Sequence, residues 1–243
     1  MKKVFLSVIA GLMGIYGSVS SQTIHIQEIQ SEINQAFYAS FAAGNTSSLT
    51  DIANRLKPDN LPLSTYWWAY SKYYEAVFYL KTNYRAKSEA TVQEGIEVLS
   101  KLKGKNSEDY ALLALMQNFS MQFIANVMKL GVLSGKVDEN IGKAIKLNSN
   151  NLRAYYVAAS CDFYTPEEYG GGKKAEEYLL KAITLDAQPV KDAGLPSWGK
   201  DQAYQMLISL YLKKGDRKSA KKYSDEAKIL FPEKDWKIDD SQS

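Results

Sequence analysis

The last sixty or so residues space their apolar side chains as two consecutive helices. Tyr204, Leu207, Ile208 and Tyr211 mark the first, Ala220 and Ala227 the second, and Pro232 closes it. Apolar positions three and four apart form one stripe along each helix. A hairpin of this kind cannot bury its stripes alone, so it needs similar hairpins stacked against it. The chain is therefore predicted to be all-α, an irregular α-solenoid whose business is holding a partner.

The same periodicity runs nearly throughout, with no alternating stretch long enough to argue for a sheet. Five hairpins account for it. The first pairs about 24–43 with 47–57, broken at Gly44-Asn45 and stopped by Pro58; the second pairs 64–85, with Ser64 as the cap, with 88–103. The third runs over 107–130, turns through Gly131 to Gly135, and returns over 137–147. The fourth pairs 151–164 with 173–185, and the fifth 198–213 with 216–230.

The N-terminus predicts the compartment. Lys2 and Lys3 precede an apolar run from Val4 to Tyr16 and the small residues Gly17 to Ser21, the pattern of a secretory signal peptide. The run is shorter than the roughly 18–20 residues a bilayer span needs. Cleavage is expected between Ser21 and Gln22, with the bond after Ser20 as second choice. The expected organisation is a signal peptide at 1–21, a helical repeat domain at 22–236 and a disordered tail at 237–243. The only cysteine is Cys161, far from that junction, so a lipoprotein is not expected; the mature chain should be periplasmic or secreted, without stable membrane insertion. Losing residues 1–21 removes two of 30 basic residues and none of 27 acidic ones, leaving a formal charge of +1. That gives no bulk attraction to nucleic acid.

The repeat template asks for an aromatic, a contacting large and small pair, and a further aromatic one turn on. Trp67, Tyr70, Ser71 and Tyr74 meet it in the second hairpin. The fourth offers Tyr155, Ala158 and Ala159, then Ala175, Leu179 and Ala182, although Asp162 stands where an aromatic is expected. Ala159 with Ala175, and Ala220 with Ala227, mark helix crossings where a larger side chain would hold the backbones apart. These units resemble tetratricopeptide repeats. Their period departs from the family: equivalent positions Gln30, Trp67, Tyr110, Tyr155 and Tyr204 are 37, 43, 45 and 49 residues apart, against about 34 in a regular array. The run Tyr169 to Ala175 (YGGGKKA) followed by Pro196 to Lys200 (PSWGK) further resembles a group of exported tetratricopeptide-like proteins of Bacteroidota over roughly residues 60–215. The resemblance implies a signal peptide followed by helical hairpins, and no assigned activity.

Gly170 to Lys173 invites a phosphate-loop reading, but such a loop would need Gly at Glu167, Ser or Thr at Lys174, and a preceding strand. The tract is expected instead to let the backbone pass tightly under a bulky neighbour, Trp198 or Tyr169. Ser197 is expected to cap the helix that follows. Catalysis finds no set of residues: the one histidine, His25, follows the cleavage site closely, and the pairs Glu167-Glu168 and Glu176-Glu177 point about 100° apart on a helix. No catalytic residue, metal ligand or cofactor is predicted, and the chain is read as a non-enzyme.

What remains is a binding face. Trp67, Tyr70, Tyr74 and Phe78 follow helical spacing and are read as core, which leaves Trp68, Lys72, Glu75 and Tyr79 on another face of the same helix. The same offset gives Arg153, Tyr156, Ser160 and Phe163 in the fourth hairpin, and Gln202 and Gln205 in the fifth. Together they predict a concave groove of aromatic and amide character, suited to an extended peptide or glycan. Burial of these aromatics by irregular packing is the competing expectation. The Lys, Asn and Arg of a carboxylate clamp are missing from the corresponding positions Trp68, Lys72, Ala111, Leu115, Tyr156 and Ser160. The predicted function is an exported scaffold binding a protein or peptide partner in the cell envelope. The alternatives are a periplasmic binder of a small molecule or glycan, of the transport-accessory type, and, behind it, a carboxylate-only hydrolase. An enclosed apolar pocket would favour the small ligand.

Overall fold

The computed structural model describes residues 26–56, 61–188, 191–236 and 238. The expected leader at 1–21, the cleavage pair Ser21 and Gln22, His25, Pro58 and, Ile238 apart, the expected tail at 237–243 lie outside them. Among the described residues there are ten α-helices and no strand. They form five hairpins: α1 (Ile29–Ala43) with α2 (Ser47–Leu56), α3 (Pro62–Lys81) with α4 (Arg85–Lys101), α5 (Ser107–Ser120) with α6 (Val127–Leu147), α7 (Leu152–Tyr164) with α8 (Ala175–Thr184), and α9 (Lys200–Lys213) with α10 (Arg217–Leu230). The architecture is an all-α helical-repeat solenoid.

The small residues sit where the hairpins cross: Ala159, Ala175, Ala220 and Ala227 are all fully buried, which lets the backbones approach closely. Asp162 stands in place of the template aromatic because it has another task. Its carboxylate accepts hydrogen bonds from the Lys174 and Ala175 amides, at 2.8 and 2.7 Å, and so caps α8 from the neighbouring helix.

The third hairpin differs from its expectation. The first helix stops at Ser120, a 3₁₀ turn covers Met121–Phe123, and the glycine segment expected as a turn lies inside α6. Asn126 starts that helix by accepting from the Lys129 amide at 3.0 Å, and a cap of this kind, typically about 1 kcal/mol, offsets the cost of about one interior glycine. The start of α3 also moves, from an expected cap at Ser64 to Pro62, whose fixed φ suits the first helical turn.

The crossover from α8 to α9 is the feature that most shapes the molecule. It returns across the N-terminal ends of α1, α3, α5 and α7. Trp67 Nε1 donates to the Gly194 carbonyl at 2.9 Å, Trp198 Nε1 donates to the Tyr66 hydroxyl at 2.7 Å, and the Ser197 amide donates to Gln30 Oε1 at 2.8 Å. The Trp198 ring stacks on Tyr70 with centroids 5.6 Å apart. Arg153, which is 2% exposed, donates to the carbonyls of Trp198 and Ala187, both at 3.0 Å, and forms an ion pair with Glu108. Trp198 therefore packs on the second and fourth hairpins and does not cover the glycine tract, contrary to the expectation from sequence. Nor does Ser197 cap α9. Gly199 does, at φ +108°, and a Cβ there would come within 2.9 Å of Leu152.

Candidate ligand-binding cleft

The ten residues predicted to line a groove do not share one surface. Trp68 and Glu75 are buried. Lys72 bonds to Glu75 and Glu94, at 3.2 Å each, while Glu75 also accepts from Thr46 and Thr50 and the Tyr79 hydroxyl lies 3.0 Å from Thr46. This polar knot ties the start of α2 to α3. Its charges compensate one another, which is what makes their burial tolerable. Arg153 is spent on the crossover. Gln202 Oε1 accepts from the Gly199 amide at 2.8 Å and so belongs to the cap of α9. Phe163 lies under the Lys213 ammonium at 5.7 Å, and Gln205 is exposed elsewhere on α9. Only Tyr156 and Ser160 meet at a cavity.

That cavity, of about 830 Å³, lies toward the C-terminal ends of α3, α5 and α7, just beyond the part of this face that the crossover covers. Tyr73 and Leu80 of α3, Leu115, Asn118 and Phe119 of α5, and Tyr156, Ser160, Cys161 and Tyr164 of α7 form its floor and two walls. The first half of α6 supplies Val127, Leu130, Gly131 and Ser134. The α7–α8 loop closes the end with Thr165, Pro166 and Tyr169, and Met206 reaches in from α9. Tyr156 joins the cleft to the crossover, its ring edge-on to Trp198 at 6.3 Å.

No charged side chain lines this cleft. Several of its polar groups are engaged within the protein: Asn118 donates to Ser160 at 3.4 Å, Gln122 to the Phe119 carbonyl at 2.7 Å, and Thr165 to the Cys161 carbonyl at 2.7 Å. Burial pushes the Tyr73 and Tyr156 hydroxyls well above the usual phenol range and the Cys161 thiol up to about 12. All three stay protonated and neutral near pH 7, so Cys161 is not an activated thiolate. Tyr164 and Tyr169 are largely exposed at the mouth. The arrangement can clasp a flat apolar molecule between aromatic faces and gives little purchase to a charge. Its size lies within the range of small-molecule pockets.

The glycine tract builds the end wall. Gly170 and Gly172 adopt φ of +89° and +76°, angles that favour glycine. At Gly171 a Cβ would stand 1.9 Å from the Thr165 carbonyl oxygen. The bulky neighbour expected from the sequence is thus backbone, and the tract holds Thr165, Pro166 and Tyr169 against the cleft. A second cavity of about 630 Å³ lies on the other side of α6, between Glu89 and Glu97 of α4 and Lys129 and Lys136 of α6, over Ile96, Phe123 and Leu133. Sequence reasoning missed most of the cleft; the available signal was Val127 to Leu133, where Val127, Met128, Leu130, Val132 and Leu133 spread apolar side chains over more than one face of a helix, interrupted by Lys129.

Among the described residues no group of three His, Cys, Asp or Glu could hold a metal ion, and no helix is long and apolar enough to cross a membrane. No family model and no curated protein matches the sequence. Solved structures that share the fold include these two. The HusA haemophore from Porphyromonas gingivalis is 22% identical with a TM-score of 0.57, over 76% of this chain and 94% of that one. A thermophilic tetratricopeptide-repeat protein from Thermus thermophilus is 16% identical with a TM-score of 0.54, over 84% of this chain and 92% of that one.

Proposed function

We propose that this chain is an exported helical-repeat binding protein that holds a flat, apolar small molecule of tetrapyrrole size in the cleft between α3, α5, α6 and α7. The observation that carries the reading is the 830 Å³ cleft with aromatic walls and no charged lining residue. It suits a ligand that buries ring faces and leaves its charged groups at the mouth. The structural likeness to a haemophore supports the size and class of ligand. No histidine lies among the described residues, so the reading rests on stacking, with Tyr164 and Tyr169 as the accessible hydroxyls at the rim. Neither structural neighbour is described as an enzyme, in keeping with a binding role. Export rests on Lys2, Lys3 and the apolar run after them, and would make the mature protein periplasmic or secreted, beginning at Gln22.

Titration of the mature chain with hemin and with metal-free protoporphyrin IX tests the ligand class, read by absorbance and by quenching of protein fluorescence. Gly131→Glu places a carboxylate in the cleft where a side chain meets nothing within 4 Å. It should weaken binding by about tenfold or more, a loss of roughly 1.4 kcal/mol. Absence of binding by either porphyrin, or equal binding by the variant, rejects this site. A peptide partner in the envelope is the second reading. It is favoured by the cavity across α6, whose apolar floor lies between a wall of mixed charge on α4 (Glu89, Glu97, Lys101) and a basic one on α6, which suits an amphipathic segment.

A further inference from the structure

Helix α6 is built in two unlike halves. From Val137 onward it is anchored: Val137, Asn140, Ile141 and Ala144 are buried, Asn140 donates to Gln117 at 2.8 Å, and Ser107 donates to the Ala144 carbonyl at 2.8 Å. From Val127 to Lys136 no residue is buried, although the segment carries apolar side chains toward both cavities, Val127 and Leu130 on one flank and Met128, Val132 and Leu133 on the other, with Lys129 and Lys136 beside them. Val127, Met128 and Val132 are 72%, 83% and 65% exposed. A helix face that carries several large apolar side chains is ordinarily packed against a core. Here one side faces the aromatic cleft and the other faces the second cavity, and the helix fills neither. Gly131 and Gly135 interrupt this half, and a methyl added at either would meet nothing within 4 Å. Extended backbone at Ile124 and Asn126 precedes it.

We propose that Val127–Lys136 is a gate that turns about Gly135 between the two cavities, closing on the ligand in the aromatic cleft and, in doing so, opening the cavity beside α4. The inference rests on the ligand site proposed above and adds its regulation. The ligand supplies Val127 and Leu130 with the apolar partner the chain withholds, so occupancy favours the closed position by its differential contact. The same movement withdraws Val132 and Leu133 from the α4 side. A peptide held there by contacts with Val132 and Leu133 loses them when the gate closes and would therefore favour release of the small ligand, the two sites being coupled reciprocally.

The test uses the mature chain carrying Cys161→Ser, with spin labels at Val132→Cys and at Lys181→Cys on α8, and distances read by double electron–electron resonance. A control pair moves the first label to Lys146→Cys on the anchored half. Without ligand, the Val132 pair should give a broader distribution than the control; metal-free protoporphyrin IX should shift it to one shorter distance and leave the control unchanged. A Val132 distribution as narrow as the control overturns the gate, whether or not the porphyrin binds. A broad distribution that the porphyrin leaves unmoved, with no change in porphyrin absorbance, upholds the movement and rejects the ligand reading instead. Porphyrin binding without a shift overturns the gate and leaves the site standing.

Discussion

Replacing Gly171 with alanine should destabilise the protein by about 2–4 kcal/mol and loosen the end wall of the aromatic cleft. The added Cβ would lie 1.9 Å from the Thr165 carbonyl oxygen and 2.6 Å from its carbon, where carbon contacts are comfortable near 3.5–4.0 Å. Both neighbours are backbone, so the strain cannot be relieved by a rotamer change. The loop must move by roughly 1.5 Å to restore that contact distance. Two hydrogen bonds close the loop, from the Gly171 amide to the Pro166 carbonyl at 3.2 Å and from the Gly172 amide to the Asp162 carbonyl at 2.9 Å. Overpacking costs about 1–3 kcal/mol, and each weakened hydrogen bond adds about 1 kcal/mol or less. At about 2–4 °C per kcal/mol for a chain of this size, Tm should fall by about 4–16 °C. Urea denaturation gives the free energy and thermal circular dichroism gives Tm. Gly131→Ala is the matched control: it lies inside α6 with open space around it, and should stabilise by up to about 1 kcal/mol. Equal midpoints for wild type and Gly171→Ala would refute the claim that this glycine is required by a backbone contact.

Asp109 carries a pH dependence. Burial raises its carboxyl to about 6, above the ordinary 3.8, so between these values the folded state keeps a proton that the unfolded state has released. The contribution of Asp109 alone is therefore greatest below pH 4 and falls by up to about 3 kcal/mol as pH rises through 6. Asp109→Asn keeps an acceptor for the Asn106 amide, and its stability relative to wild type, from urea midpoints at pH 4.5, 5.5 and 7, should rise with pH; a constant difference would refute the assignment. Trp198→Ala should cost about 3–5 kcal/mol. A double-mutant cycle with Tyr66→Phe should show coupling through their hydrogen bond, and simple additivity would show that the crossover is not held there. Ala220→Leu, at a fully buried crossing, should cost about 1–3 kcal/mol by overpacking, and an unchanged denaturant midpoint would place that residue outside the crossing.

The fold is legible in the sequence where a residue type answers a local demand. Ala159, Ala175, Ala220 and Ala227 are small because two helices cross over them, and that spacing is visible without coordinates. The third hairpin misleads for a local reason too: Gly131 and Gly135 are turn residues by habit, and only the cap at Asn126 reveals that the helix continues through them. The binding face is much less legible, because it depends on a segment with no periodicity. Residues 185–199 carry no pattern that says where they pack, and Trp198 finds Tyr66 across 132 residues of chain. Arg153 reads as an exposed cation of a groove until Glu108 and the crossover carbonyls are seen to surround it.

The crossover also changes what kind of ligand the face can take. Stacked hairpins with an open concave surface favour extended peptides, since successive inner helices repeat the same contacts along a line. Here the chain's own segment occupies the N-terminal part of that line, engaging the Trp67 indole, the Arg153 guanidinium and the Tyr66 hydroxyl that a peptide would otherwise have used. What is left is short, bounded at one end by the Tyr156–Trp198 contact and at the other by the loop that Gly171 holds in place. A short aromatic cleft without charges favours a compact, flat guest over an extended one. On the function proposed above, the segment that stabilises the solenoid would also set the ligand class. Loosening the crossover at Trp198 should therefore lower porphyrin affinity as well as stability, and a variant that loses stability alone would separate the two roles.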